Sequence, residues 1–197
     1  RPCIVAVLAY KFTAEDARIV LDWLDSPLGR KSTALESAAA APEALQSMQA
    51  YAQELQQSPP PQERVALLGE LATAVKAVEN AVEVVMNTQL AVAAGMMAAL
   101  PAEQQKPLGL IHDQMEQFRP QITAAVQSQT ALAFLYTYQE LTEDEIRRYL
   151  SFARSDVAMR YHAAASEGIA QALTAGSLKL GAMISEIVQA TENRSDI

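Results

Sequence analysis

From Gln62 to Leu100 the polar positions Glu70, Thr73, Lys76, Asn80, Glu83 and Asn87 return every three or four residues, set among Val, Leu, Ala and Met. Residues three and four apart share one face of a helix, so the pattern predicts one long helix with a single narrow polar stripe. Such a helix needs neighbours around most of its circumference. Beyond Gln89 the stripe disappears, so Leu90 to Leu100 is expected to be buried centrally, covered by a partner subunit or left as a sticky surface. That stretch is only about half the length a membrane-spanning helix requires. Ile4 to Ala9 is shorter still, so no transmembrane segment is expected in this chain.

Start and stop signals divide the rest. Thr13 with Asp16 three residues later is a variant of the capping box, opening a short helix from Ala14 to Leu24. Ser26 caps a second helix, and Pro27 takes its first position, where a missing N–H is harmless. Pro42 opens a third, which Ser58-Pro59-Pro60-Pro61 ends. A helix from Leu108 turns Leu110, Ile111, Met115 and Phe118 inward until Pro120, and another spans Gln121 to Tyr138. Thr142 and Glu145 form a full capping box for a helix to Ala153, and Ser155 opens a last helix towards Gln189. Ala, Leu, Glu and Gln dominate the long segments and Gly is scarce at 7 residues, so the fold class is all-α, a multi-helix bundle. The expected divisions are a first helical unit at 1–57, a proline-rich linker at 58–62, a second unit with long helices at 63–190 and a frayed tail at 191–197.

An offset of 129 residues brings Thr13 onto Thr142, Arg18 onto Arg147, Leu21 onto Leu150 and Ser26 onto Ser155. It also pairs Asp16 with Glu145, Trp23 with Phe152 and Lys31 with Arg160. Both stretches describe a Thr-capped short helix that turns an aromatic inward, then a Ser that caps a second helix in a new direction. This reads as an internally repeated helix-corner-helix motif.

The stretch FTAEDARIVLDWLDSPLGRK resembles the signature of the bacterial family filed as domain of unknown function 2059. Phe12, Thr13, Glu15, Asp16, Trp23, Ser26, Pro27, Gly29 and Lys31 carry the resemblance. In the second stretch Leu141, Thr142, Glu143, Glu145, Phe152 and Ser155 carry it, while Asp156 and Ala158 stand where the pattern has Pro and Gly. The resemblance implies a small all-helical domain, commonly exported to the periplasm, with no assigned activity. The chain opens at Arg1 rather than Met, so an earlier start that could have included an export signal is expected to have been removed.

A formal net charge of -8 argues against phosphate-backbone binding, because the densest cations are mere pairs, Arg30-Lys31 and Arg147-Arg148. Cys3 is the only cysteine, which excludes an internal disulfide and any Cys-based metal site. His112 and Glu116 share a helix face as metal ligands can, yet no third ligand is apparent and solvated pairing explains them. No Gly-x-Ser-x-Gly elbow accompanies the serines, so no catalytic residue, metal or cofactor is assigned. Arg18 and Arg147 read as structural ion pairs rather than an anion site. Met86, Leu90, Met96, Met97 and Leu100 form a candidate apolar binding or interface stretch, since methionine suits varied apolar partners as well as cores. The expected function is a non-catalytic helical module acting through protein contacts, with an unknown partner or a homo-oligomer. The alternative is a bundle that binds an apolar, lipid-like ligand; a hydrolase or metalloprotein built around His112 is the weakest reading.

Overall fold

The computed structural model describes residues 12–98, 100 and 105–195. Nine helices account for the secondary structure of the described residues: α1 (Ala14–Asp25), α2 (Pro27–Ala39), α3 (Ala44–Gln57), α4 (Gln62–Ala74), α5 (Ala77–Ala98), α6 (Leu108–Glu116), α7 (Arg119–Thr137), α8 (Glu143–Ala153) and α9 (Asp156–Ser195). The long helix expected from Gln62 to Leu100 is in fact two. Val75 ends α4, and Lys76 adopts a left-handed backbone, φ 54°, before α5 starts. No Gly, Pro or capping residue announces this break; Asn80 covers it, its side-chain amide donating to the Val75 carbonyl at 3.3 Å. At the other end, α9 continues to Ser195 through the stretch expected to fray, which contains no Gly or Pro to stop it.

The main core gathers Leu68 and Leu71 of α4, Tyr138 and Leu141 of the α7–α8 connection, and Ile146, Tyr149, Leu150 and Ala153 of α8. Trp23, Leu28 and Leu35, from before the proline run, pack against the same cluster. Tyr51 of α3 donates to the Leu135 carbonyl at 3.3 Å, and its ring meets Tyr136 edge-on. Segments on both sides of Ser58–Pro61 therefore share one core. A second cluster joins Val82 and Met86 of α5 to Val126 of α7, with Met115 and Ile122 against it. The remainder of α5 lies along α9, the most extensive helix pairing in the fold.

Glu63 pairs with Arg147, and one heptad later Glu70 pairs with Arg154 at 2.7 Å, so α4 and α8 run parallel in a fixed register. Arg64 closes their N-terminal ends. Its guanidinium donates to the carbonyls of Tyr138, Gln139 and Leu141 at 2.6, 3.1 and 2.9 Å and to Glu143 at 3.0 Å. It thereby satisfies carbonyls that the end of α7 leaves without helical partners.

A non-Gly residue in the left-handed region costs about 1 kcal/mol. Lys76→Gly should raise stability by about 0.5 kcal/mol, the relief of strain exceeding the entropy of an added glycine. Lys76→Val should lower it by about 1 kcal/mol, since a β-branched side chain fits that region worst. Urea denaturation midpoints of the two variants, read against the wild type, check the sign of both.

Candidate functional site

The residues singled out from the sequence meet at two helix corners. Thr13 caps α1: its hydroxyl accepts from the Asp16 N–H at 3.0 Å and donates to the Asp16 carboxylate at 2.9 Å, while its own N–H donates to that carboxylate at 3.1 Å. Thr142 caps α8 in the same way, accepting from Glu145 N–H at 3.2 Å, with its N–H donating to the Glu145 carboxylate at 2.8 Å. At the first corner Ser26 ends α1 and starts α2. Its hydroxyl donates to the Trp23 carbonyl at 2.6 Å and accepts from the Gly29 N–H at 3.0 Å, with Pro27 in the first helical turn. At the second, Ser155 N–H donates to the Phe152 carbonyl at 2.9 Å and its hydroxyl accepts from Ala158 N–H at 3.2 Å.

Gly29 is required where it stands. A Cβ there would lie 2.1 Å from the Trp23 carbonyl oxygen and 2.9 Å from the Leu24 Cα, contacts that only a backbone shift could relieve. Ala158 occupies the matching place after Ser155 and is fully buried, so the second corner accommodates the methyl that the first excludes.

The corners face one another. Trp23 lies almost flat against Phe152, ring centroids 4.2 Å apart and planes 7° from parallel, and also touches Tyr149 at 4.9 Å. Lys31 of α2 reaches across to Glu145 at 2.9 Å and to the Glu140 carbonyl at 2.9 Å. Arg160 of α9 reaches back to Asp16. Each cation thus holds the carboxylate that closes the opposite capping box. The Thr13 N–H, then Arg160, hold the Asp16 carboxyl below the ordinary range; Lys31, then the Thr142 N–H, do the same for Glu145.

Further in, Tyr138 and Tyr149 both donate to one Glu36 oxygen, at 2.8 and 3.0 Å. Burial pushes both phenols up, so they remain neutral donors. Neither this cluster nor the Arg64 clamp carried a sequence signal, because the partners lie tens of residues apart.

The remaining candidates are dispersed. Arg18 pairs with Glu15 at 2.6 Å and Arg147 with Asp144 at 2.8 Å, both on their own helices. His112 lies 3.6 Å from Glu116, but Arg119 holds that carboxylate more closely, at 2.6 and 2.8 Å, and also reaches Glu83 at 2.7 Å. Among the described residues no group of three His, Cys, Asp or Glu side chains is placed to hold a metal ion. His162 is far from His112 in sequence, half-buried against Tyr161, and burial lowers its pKa. Met86 belongs to the second core at 4 % exposed; Leu90, Met97 and Leu100 are half-buried, and Met96 is exposed. A cleft of about 450 Å³ opens between α5 and α9, at Ala81, Val84, Ile169 and Leu173, reaching along α5 as far as Asn87 and short of Leu90.

Residues 1–58 match the bacterial family described as "Uncharacterized protein conserved in bacteria (DUF2059)". It is the family that the Ser26 corner resembles. The matched stretch holds α1, α2 and α3, and so the whole first corner. Neither a curated protein nor a solved structure matches the chain. Among the described residues no helix is long and apolar enough to cross a membrane.

The corner geometry has two measurable consequences. Gly29→Ala should destabilise the fold by about 2 kcal/mol through overpacking against backbone, and Ala158→Gly by about 1.5 kcal/mol through lost helix propensity together with the cavity its buried methyl leaves. Thermal denaturation of each variant checks both. The lowered carboxyls also make stability acid-sensitive: a group with a depressed folded pKa contributes fully above its unfolded value and loses that contribution as pH falls through the folded one. Asp16→Asn should lower stability at neutral pH and flatten its decline below about pH 4, as followed by denaturation at stepped pH.

Proposed function

We propose that this chain is a non-catalytic helical module of the bacterial cell envelope that acts through protein contacts, built on two copies of the helix-corner-helix unit. The pairing pattern supports the two-copy reading. The offset of 129 that carries Asp16 to Glu145 also carries Lys31 to Arg160 and Trp23 to Phe152. The cross-contacts are therefore reciprocal, as in an isologous interface, where residue i meets j and j meets i. Lys31, Glu145, Arg160 and Asp16 are engaged in holding the copies together, which leaves the contact function to other surfaces.

The observation that carries the contact reading is the exposure of large apolar side chains along α5 and α6. On α5 Val92 and Met96 are 40 % and 58 % exposed, and Leu110 and Phe118, on α6 and at its exit, are 55 % and 59 % exposed. Exposed large apolar side chains, where they adjoin, mark interaction sites. The envelope location follows from the resemblance of the first corner to an exported family.

In the native host, Met96→Asp and Phe118→Asp should leave helicity and thermal stability unchanged while abolishing the protein's specific cross-linked species; Gln53→Asp, on α3, should not. Retention of every cross-link in both variants overturns the contact reading. Fractionation of the full gene product by osmotic shock tests the location, and retention with cytosolic markers overturns it. The apolar-ligand alternative rests on the α5–α9 cleft, and native mass spectrometry of host-purified protein distinguishes it by a bound mass.

A further inference from the structure

Eight arginines fall among the described residues whose side chains are placed, and seven of them hold a carboxylate. Arg18 holds Glu15, Arg30 Asp25, Arg64 Glu143, Arg119 Glu116, Arg147 Glu63, Arg154 Glu70 and Arg160 Asp16. Arg148 alone among them has no such partner, in a chain whose net charge is -8. Arg148 is exposed and so free to meet a carboxylate from outside the chain. Its nearest acids on α8 are already engaged: Asp144 by Arg147, and Glu145 by Lys31.

Arg148 stands at the rim of a shallow cleft of about 440 Å³ beside the two corners. Trp23, Pro27, Leu28 and Phe152 line it with Arg148, Trp23 and Phe152 being stacked, and Ser151 sits one turn beyond Arg148 on the same helix. The arrangement combines a planar fork of N–H donors, a hydroxyl and an apolar, largely aromatic surface within one cleft. A guanidinium pairs with a carboxylate through two parallel hydrogen bonds, and it does so best where one side is dry. The apolar lining suits a flat or hydrocarbon group attached to that carboxylate, and aromatic side chains favour ring partners.

We propose that this cleft binds a carboxylate carried next to an aromatic or apolar group, with Arg148 as the anion partner and the Trp23–Phe152 stack as the apolar partner. Two sources offer that chemistry: the C-terminal residue of a polypeptide, and a free aromatic acid. The site is independent of the exposed apolar side chains along α5 and α6, so it stands or falls separately from the contact surface proposed above.

Trp23 is the only tryptophan of the chain, so its fluorescence reports on this cleft directly. Titration of the intact chain with N-acetyl-phenylalanine should give a saturable change in Trp23 emission, and N-acetyl-phenylalaninamide, which lacks the charge, should give none. Arg148→Gln should weaken binding at least about tenfold, a loss of about 1.4 kcal/mol. Arg154→Gln, at the end of the same helix and outside the cleft, where it pairs with Glu70, should leave it unchanged. A hexapeptide ending in phenylalanine carboxylate that binds more tightly than the amino-acid derivative identifies a chain end as the source; equal affinity identifies the free acid. No saturable change at millimolar concentration, equal binding of the amide, or full binding by Arg148→Gln overturns the proposal.

Discussion

The contact between Trp23 and Phe152 sets the geometry of this fold. Two rings 4.2 Å apart and nearly parallel fix the distance between the ends of α1 and α8. From these ends α2 packs on α7 and α8, and α9 on α5 and α1. Lys31 is thereby delivered to Glu145 and Arg160 to Asp16. Neither ion pair alone would hold two helix pairs together, since partly exposed pairs contribute little. Their significance lies in the carboxylates chosen: each already closes a capping box, so its position is fixed before the cation arrives. Little side-chain freedom remains to be lost on the acid side.

The same reliance on fixed partners runs through the interior. Glu36 is half-buried and accepts from two tyrosines at once, so the phenols and the carboxylate satisfy one another where water is scarce. Arg64, buried more deeply than any other ion-paired cation among the described residues, directs most of its donors to backbone carbonyls at the end of α7 and one to Glu143. These clusters bracket the main core from two sides. They impose a register on α4, α7 and α8 that Leu68, Leu71 and Ile146, being apolar and direction-blind, could not impose alone.

The caps were legible because their physics is local. Thr13 with Asp16, Thr142 with Glu145, and Ser26 with Pro27 each act within four residues, and the structure places each bond at the expected atom. Long-range pairing was not legible. Nothing in the neighbourhood of Arg148 distinguishes it from Arg147; only the fold brings Glu63 to one and leaves the other at a cleft. The break at Lys76 was hidden for a related reason. Its polar neighbours keep the helical period, and the left-handed residue is tolerated because α4 packs on α8 while α5 turns towards α9. The proline run misled in the opposite direction. Ser58 to Pro61 does stop a helix, but a stiff turn need not separate cores, and Trp23, Leu28 and Leu35 cross back over it.

The two corners are alike in capping and unlike in the residues just after the cap. Gly29 lets α2 start hard against the Trp23 carbonyl, while Ala158 fills the matching space with a buried methyl. Pro27 presets the first turn of α2, while Asp156 offers the first turn of α9 a charge that suits its dipole. The corner built on Pro and Gly feeds a helix of 13 residues, and the one built on Asp and Ala feeds one of 40. Beyond the stack α5 lies along α9, and Arg119 ties α5, α6 and α7 together through Glu83 and Glu116 beside the exposed Phe118. The apolar side chains there stand on helices already locked by their own ion pairs, so a contact can form on them without disturbing the corners.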